Sequence, residues 1–161
     1  MSLNIVLIEP EIPQNTGNIA RTCATTGAIL HLVGPLGFSI SDKHVKRAGL
    51  DYWDDVQLNY YNSFDEVKEK YPMGQFYYAT TKGANVYSNV KYPDECFLVF
   101  GKETAGLPED LLKQNLENCI RIPMRETLRS LNLANSVAII AFEYFRQKDF
   151  CGFQHAGKLS K

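Results

Sequence analysis

The chain of 161 residues contains no CxxC pair, and its four cysteines, Cys23, Cys96, Cys119 and Cys151, are widely spaced. That pattern gives no ground for a metal knot or a dithiol redox motif, and it suits free thiols in a reducing cytoplasm. No apolar run approaches the roughly 20 residues of a membrane span. The opening "MSLNIVLIE" starts a strand without the basic stretch, long apolar core or cleavage site of a secretion signal. An excess of one charge is missing too: 17 basic against 18 acidic side chains leave a net charge of -1. This argues against a protein that coats nucleic acid generally, and it leaves room for a local basic surface. Neither GxGxxG nor a GK[ST] ending occurs, so the dinucleotide fingerprint and the P-loop are both absent.

The composition, 45% hydrophobic and 22% charged, is that of a single globular domain able to bury a core without staples. Residues 150–161 read as a flexible tail. Short apolar runs at "NIVLIE" (4–9), "AILHLVG" (28–34), "VQLNYY" (56–61), "QFYYATT" (75–81), "CFLVFG" (96–101) and "CIRIPM" (119–124) alternate with helical patterns. The first helix, capped by Asn15 or Thr16, carries Arg21 on its second turn and stops at Gly27. "SDKHVKRAG" reads as a short helix capped by Ser41 or Asp42, and Ser63 with Glu66 has capping-box spacing. Pro108 stands at a first helical position, and "KGANVYSNVKYPDE" reads as a loop. The pattern predicts a mainly parallel six-stranded α/β sheet with helices on both faces. The last helix, over 133–148, has one apolar stripe at Leu133, Val137, Ile140, Ala141 and Tyr144, and a second at Ala134, Ala138, Phe142 and Phe145. Two stripes imply burial on two sides, and hence a homodimer through this helix.

Ligands in such sheets sit beyond the carboxyl ends of the strands, where three loops carry unusual chemistry. "IEPEIPQNTGNIART" joins two prolines and a glycine to Asn15 and Arg21, whose guanidinium suits a phosphate or a hydroxyl. "FGKETAGLPEDL" places Gly101 after an apolar strand and Glu103 before the turn at Gly106. "IRIPMRETLRSLNLANSVAI" crowds Ser130, Asn132 and Asn135 at the entry to the last helix, with Asn132 as its cap. Lys43, Lys46, Arg47, Lys82, Arg125 and Arg129 are the groups that a local basic surface could use.

Together, "NTGNIART", "FGKETAGLP" and "IPMRETLRSLNLANSVA" resemble the three ordered motifs of the SPOUT superfamily of RNA methyltransferases, and the similarity covers essentially the whole chain. "NIVLIEPEIPQNTGNIAR", "DKHVKRAGLDYW" and "TTKG" are most similar to the branch that methylates the ribose 2′-hydroxyl of the wobble cytidine or uridine in tRNA anticodons. The resemblance implies a C-terminal deep trefoil knot and a cytoplasmic homodimer acting on the tRNA anticodon stem-loop, with neither metal nor membrane. It implies S-adenosylmethionine held at Ala79, Thr80, Gly101, Glu103, Ile122, Ser130, Leu131 and Asn132, with Arg21 and Asn15 as catalytic residues. Rival readings are a different tRNA position or ribosomal RNA as target, a non-catalytic RNA-binding protein, and a nucleotide-binding redox protein.

Overall fold

Apolar side chains at alternate positions build β1 (Ser2–Ile8), with Leu3, Ile5 and Leu7 on one face and Val6 and Ile8 on the other. The computed structural model describes residues 1–41, 43, 47, 50–126 and 128–160. After β1 come α1 (Pro13–Thr26), β2 (Ile29–Val33), β3 (Leu58–Tyr61), α2 (Phe64–Lys70), β4 (Phe76–Ala79) and β5 (Asn85–Val86). Then follow β6 (Glu95–Phe100), α3 (Glu109–Lys113), β7 (Cys119–Arg121) and α4 (Leu133–Gln147), with short 3-10 segments at Leu50–Asp55, Tyr87–Asn89 and Leu116–Asn118.

All seven strands pair in parallel, in the order β3-β2-β1-β6-β4-β7-β5. The sheet therefore has one strand more than the six expected. The addition is β5, two residues inside the segment read as a loop; so short a strand carries no alternation, and its pairing with Ile120 and Arg121 of β7 creates it. The expected strand over 119–124 ends at Arg121, ahead of Pro123.

Two cores follow from the two faces. On one, Leu3, Ile5, Leu7, Leu30, Leu98 and Ile120 pack with Ile19 and Cys23 of α1 and Val137, Ile140 and Tyr144 of α4. On the opposite face Val6, Ile8, Phe97, Val99 and Tyr78 pack with Val67 of α2 and Leu112 of α3. Each large apolar side chain contributes about 1.5–3 kcal/mol when fully buried, so a parallel sheet needs cover on both faces.

The helix signals resolve individually. Gly27 is left-handed (φ 79°) and its N–H donates to Cys23 O at 2.8 Å, ending α1. Ser63 caps α2, and Pro108 is the residue before α3 rather than its first. Asn15 and Thr16 do not cap α1, which begins at Pro13, so Arg21 lies on its third turn. The helix read over "SDKHVKRAG" falls largely outside the described residues, as do Asp42 and Lys46; Lys43 and Arg47 have helical backbone and are exposed.

On α4 the first stripe is largely buried, and so is Phe145 of the second. Ala134 and Ala138 are half-buried, while Phe142 and Ile139 are 43% and 36% exposed. One chain thus covers only part of the second side. Beyond α4, Phe153 packs on Phe145 with ring centroids 4.9 Å apart, and residues 154–160 are exposed. No helix among the described residues is long and apolar enough to cross a membrane. Cys23, Cys96 and Cys119 are buried free thiols and Cys151 an exposed one.

Candidate active site

The chain leaves β1 toward β2 and β3, then returns to the other side of β6 for β4, so a crevice opens beyond the strand ends where the order reverses. A cleft of about 550 Å³ lies there. Its floor is apolar, with Phe100, Leu107, Ile120, Ile122, Leu133 and Ile140, and one wall is the backbone of 101–106. Gly101 has no alternative: a Cβ there would meet the carbonyl carbon of Gly106 at 2.1 Å and the nitrogen of Leu107 at 2.3 Å. Gly106 makes the turn at φ 69°, donating its N–H to Lys102 O at 2.8 Å.

Three loops meet at this cleft through one carboxylate and two amides. Glu103 accepts from the backbone N–H groups of Glu11 (2.9 Å) and Ile12 (2.6 Å), and from Asn15 Nδ2 at 3.3 Å. Ile12 precedes α1 and has no side-chain cap of its own, so Glu103 performs that task from another loop, with its charge at the positive end of the helix. Asn15 Oδ1 accepts from Asn132 Nδ2 at 3.0 Å, and Asn132 Oδ1 accepts from Asn135 N at 3.2 Å, capping α4 as expected. A reciprocal latch runs the other way, with Thr104 donating to Glu11 Oε1 from its N–H (3.0 Å) and its hydroxyl (2.7 Å). The Thr104 hydroxyl above all, then its N–H, holds the Glu11 carboxyl below its ordinary range.

Residues 2–142 match the family model described as the SpoU rRNA Methylase family. The chain belongs to the SpoU methylase family. It is 59% identical to a Listeria monocytogenes protein with the provisional name tRNA (cytidine(34)-2′-O)-methyltransferase, over 93% of this chain and 90% of that one. A solved structure concerned with 2-OH methylation of C/U34 on tRNA aligns with a TM-score of 0.89 at 41% identity, covering 92% of this chain and 97% of the other. An AdoMet-bound rRNA methyltransferase from Sinorhizobium meliloti aligns with a TM-score of 0.80 at 27% identity, over 90% of this chain and 56% of its own.

Within this SpoU chain, Asn15, Ala79, Thr80, Gly101, Glu103, Ile122, Ser130, Leu131 and Asn132 all line the one cleft. Arg21 does not. It lies in a second cleft of about 510 Å³ between α1 and α4, with Asn18, Thr22, Thr25, Ala134, Asn135 and Ala138; Asn132 lines both clefts. Of the basic residues, Lys82 and Arg129 line the first cleft, and Lys82 is paired with Glu109. That ion pair is the main reason the Glu109 carboxyl lies below its ordinary range. Arg125 is exposed on the loop before α4, and Lys43 and Arg47 lie after β2. The latch residues Glu11 and Thr104 escaped sequence reasoning, because an acid beside prolines and a threonine near glycine look like ordinary turn chemistry. Among the described residues no group of three or more His, Cys, Asp or Glu is placed to hold a metal.

Proposed function

We propose that the protein transfers a methyl group from S-adenosylmethionine to the ribose 2′-hydroxyl of the wobble cytidine or uridine in a tRNA anticodon. The observation that carries this reading is the Glu103–Asn15–Asn132 chain, which ties the donor-type cleft to the groove of Arg21. The donor fits the residues present. Small-molecule sites run to about 300–1,000 Å³ with a largely apolar lining and a few fixed polar groups, and the cleft has that size, an apolar floor and a backbone wall. Bound there, S-adenosylmethionine supplies an electrophilic methyl on a sulfonium.

The protein's share of the reaction is orientation and charge. Glu103 fixes the start of α1, and Asn15 and Asn132 hold that start against α4, so the two clefts keep a fixed relation in which a donor and an acceptor hydroxyl would be oriented. Arg21 stabilises the developing alkoxide and does not take the proton, since a guanidinium presents five N–H donors and no acceptor. A phosphate oxygen or water accepts the proton. Lys43, Arg47, Arg125 and Arg129 hold the anticodon stem-loop, with affinity that falls as salt rises.

The same reading includes a cytoplasmic homodimer, supported by the apolar residues that α4 leaves exposed, in which Arg21 of one chain serves the cleft of its partner. It also includes the C-terminal knot, supported by the grip of residues 90–94 on the end of α4. Gln147 Nε2 donates to Val90 O and Lys148 Nζ to Tyr92 O, both at 2.8 Å. The test is incubation of unmodified and cellular tRNA with labelled S-adenosylmethionine, then nuclease digestion and mass mapping. A 2′-O-methyl group at the wobble nucleotide, lost in Arg21→Ala, is the expected result. Methylation of ribosomal RNA alone, or of another tRNA position, overturns the substrate.

A further inference from the structure

The Arg21 guanidinium lies over the ring of Tyr52, with its carbon 4.9 Å from the ring centroid. Among the described residues it forms no ion pair. We propose that Tyr52 is a positioning residue for methyl transfer: it holds the Arg21 guanidinium by its face and leaves the N–H donors free for the reacting ribose. The inference rests on the role given to Arg21 above.

The choice of an aromatic ring has a chemical consequence. A carboxylate would orient Arg21 equally well, but by occupying the N–H groups and offsetting the charge that a developing alkoxide needs. A ring face attracts the cation through its quadrupole and uses no donor. Tyr52 is itself anchored. It is half-buried in the 3-10 turn Leu50–Asp55, and its neighbour Trp53 packs against the core on the α1 and α4 side of the sheet, as do Leu36, Ile40 and Val56. The turn thus presents one ring to Arg21 of α1, and Arg21 lines the groove that Asn132 joins to the first cleft. A surface arginine with several rotatable bonds loses rotamer entropy when ordered, and the ring meets part of that loss before the substrate arrives.

The experiment measures kcat for tRNA methylation, S-adenosylmethionine affinity by calorimetry, and the thermal midpoint, in Tyr52→Phe, Tyr52→Leu and Arg21→Ala. Tyr52→Phe keeps the ring and retains kcat. Tyr52→Leu fills similar space without a π face, and kcat falls about tenfold, the order a partly desolvated cation–π contact supports, with donor affinity and midpoint unchanged. Should Tyr52→Leu fail to fold, phenylalanines bearing one, two and three fluorines at this position drain the ring face stepwise, and kcat falls with each. A flat fluorine series, or equal losses in Tyr52→Phe and Tyr52→Leu, overturns the inference. So does wild-type kcat in Tyr52→Leu while Arg21→Ala is inactive, which leaves the role of Arg21 standing. Full activity in Arg21→Ala removes both.

Discussion

Asn132 uses the two ends of one amide for two tasks: Oδ1 caps α4 through Asn135 N, and Nδ2 donates to Asn15 in the chain that ends on Glu103. The tasks are separable by substitution. Asn132→Asp keeps the cap and adds negative charge at the helix N-terminus, where it is favourable. It also sets oxygen against Asn15 Oδ1, and turning the Asn15 amide over only moves the conflict to Glu103. The expected outcome is an unchanged or slightly raised thermal midpoint with methyl transfer reduced about tenfold or more, the scale of a lost hydrogen bond within a charged network. Asn132→Ala loses the cap as well, at about 1 kcal/mol, and its midpoint drops. Thermal melts beside initial rates decide this; parallel losses of stability in both variants contradict it.

At the scale of elements, β2 carries a polar residue into an otherwise apolar face. His31 is fully buried, its Nε2 2.8 Å from Asn4 Oδ1 on β1 and its Nδ1 3.0 Å from the Tyr61 hydroxyl on β3. Burial first, and then the charge of Lys70, push its pKa down to about 4 from 6.5. The unfolded chain therefore binds a proton that the folded chain refuses between those two values. The stability due to neutral His31 is intact above pH 6.5 and declines as pH falls toward 4, by about 3 kcal/mol in all. Urea unfolding from pH 7 to pH 4 shows this slope, and His31→Gln, which retains a donor and an acceptor, flattens it. An equal slope in both proteins contradicts the assignment. The polar trio was not legible in the sequence, because three residues from three strands meet only through parallel register.

For the whole molecule, the exposed Phe142 and Ile139 on α4 set the expectation that the protein in solution sediments at twice the 18.2 kDa chain mass at micromolar concentration. Phe142→Arg moves the equilibrium toward the single chain, because a charge replaces one of the exposed apolar side chains on which the proposed dimer rests. If Arg21 serves the partner's cleft, activity falls in proportion. Sedimentation velocity checks the first part, and a monomeric wild-type protein at that concentration refutes it.

Six strands, the stops and caps at Gly27, Ser63 and Asn132, and the three loops of the cleft were legible in the chain alone. Their signals are local: alternation, cap chemistry, and glycine next to an apolar run. The motifs also pointed to nine residues that do line one cleft. Tertiary structure alone decided the rest. The two-residue β5 exists because β7 offers it a partner, and the start of α1 is capped by a carboxylate 91 positions away in the chain. Arg21 stands apart from the first cleft, over an aromatic ring from a different segment. Each of these depends on which strand ends become neighbours, and that follows from packing two apolar faces at once rather than from any stretch of sequence read by itself.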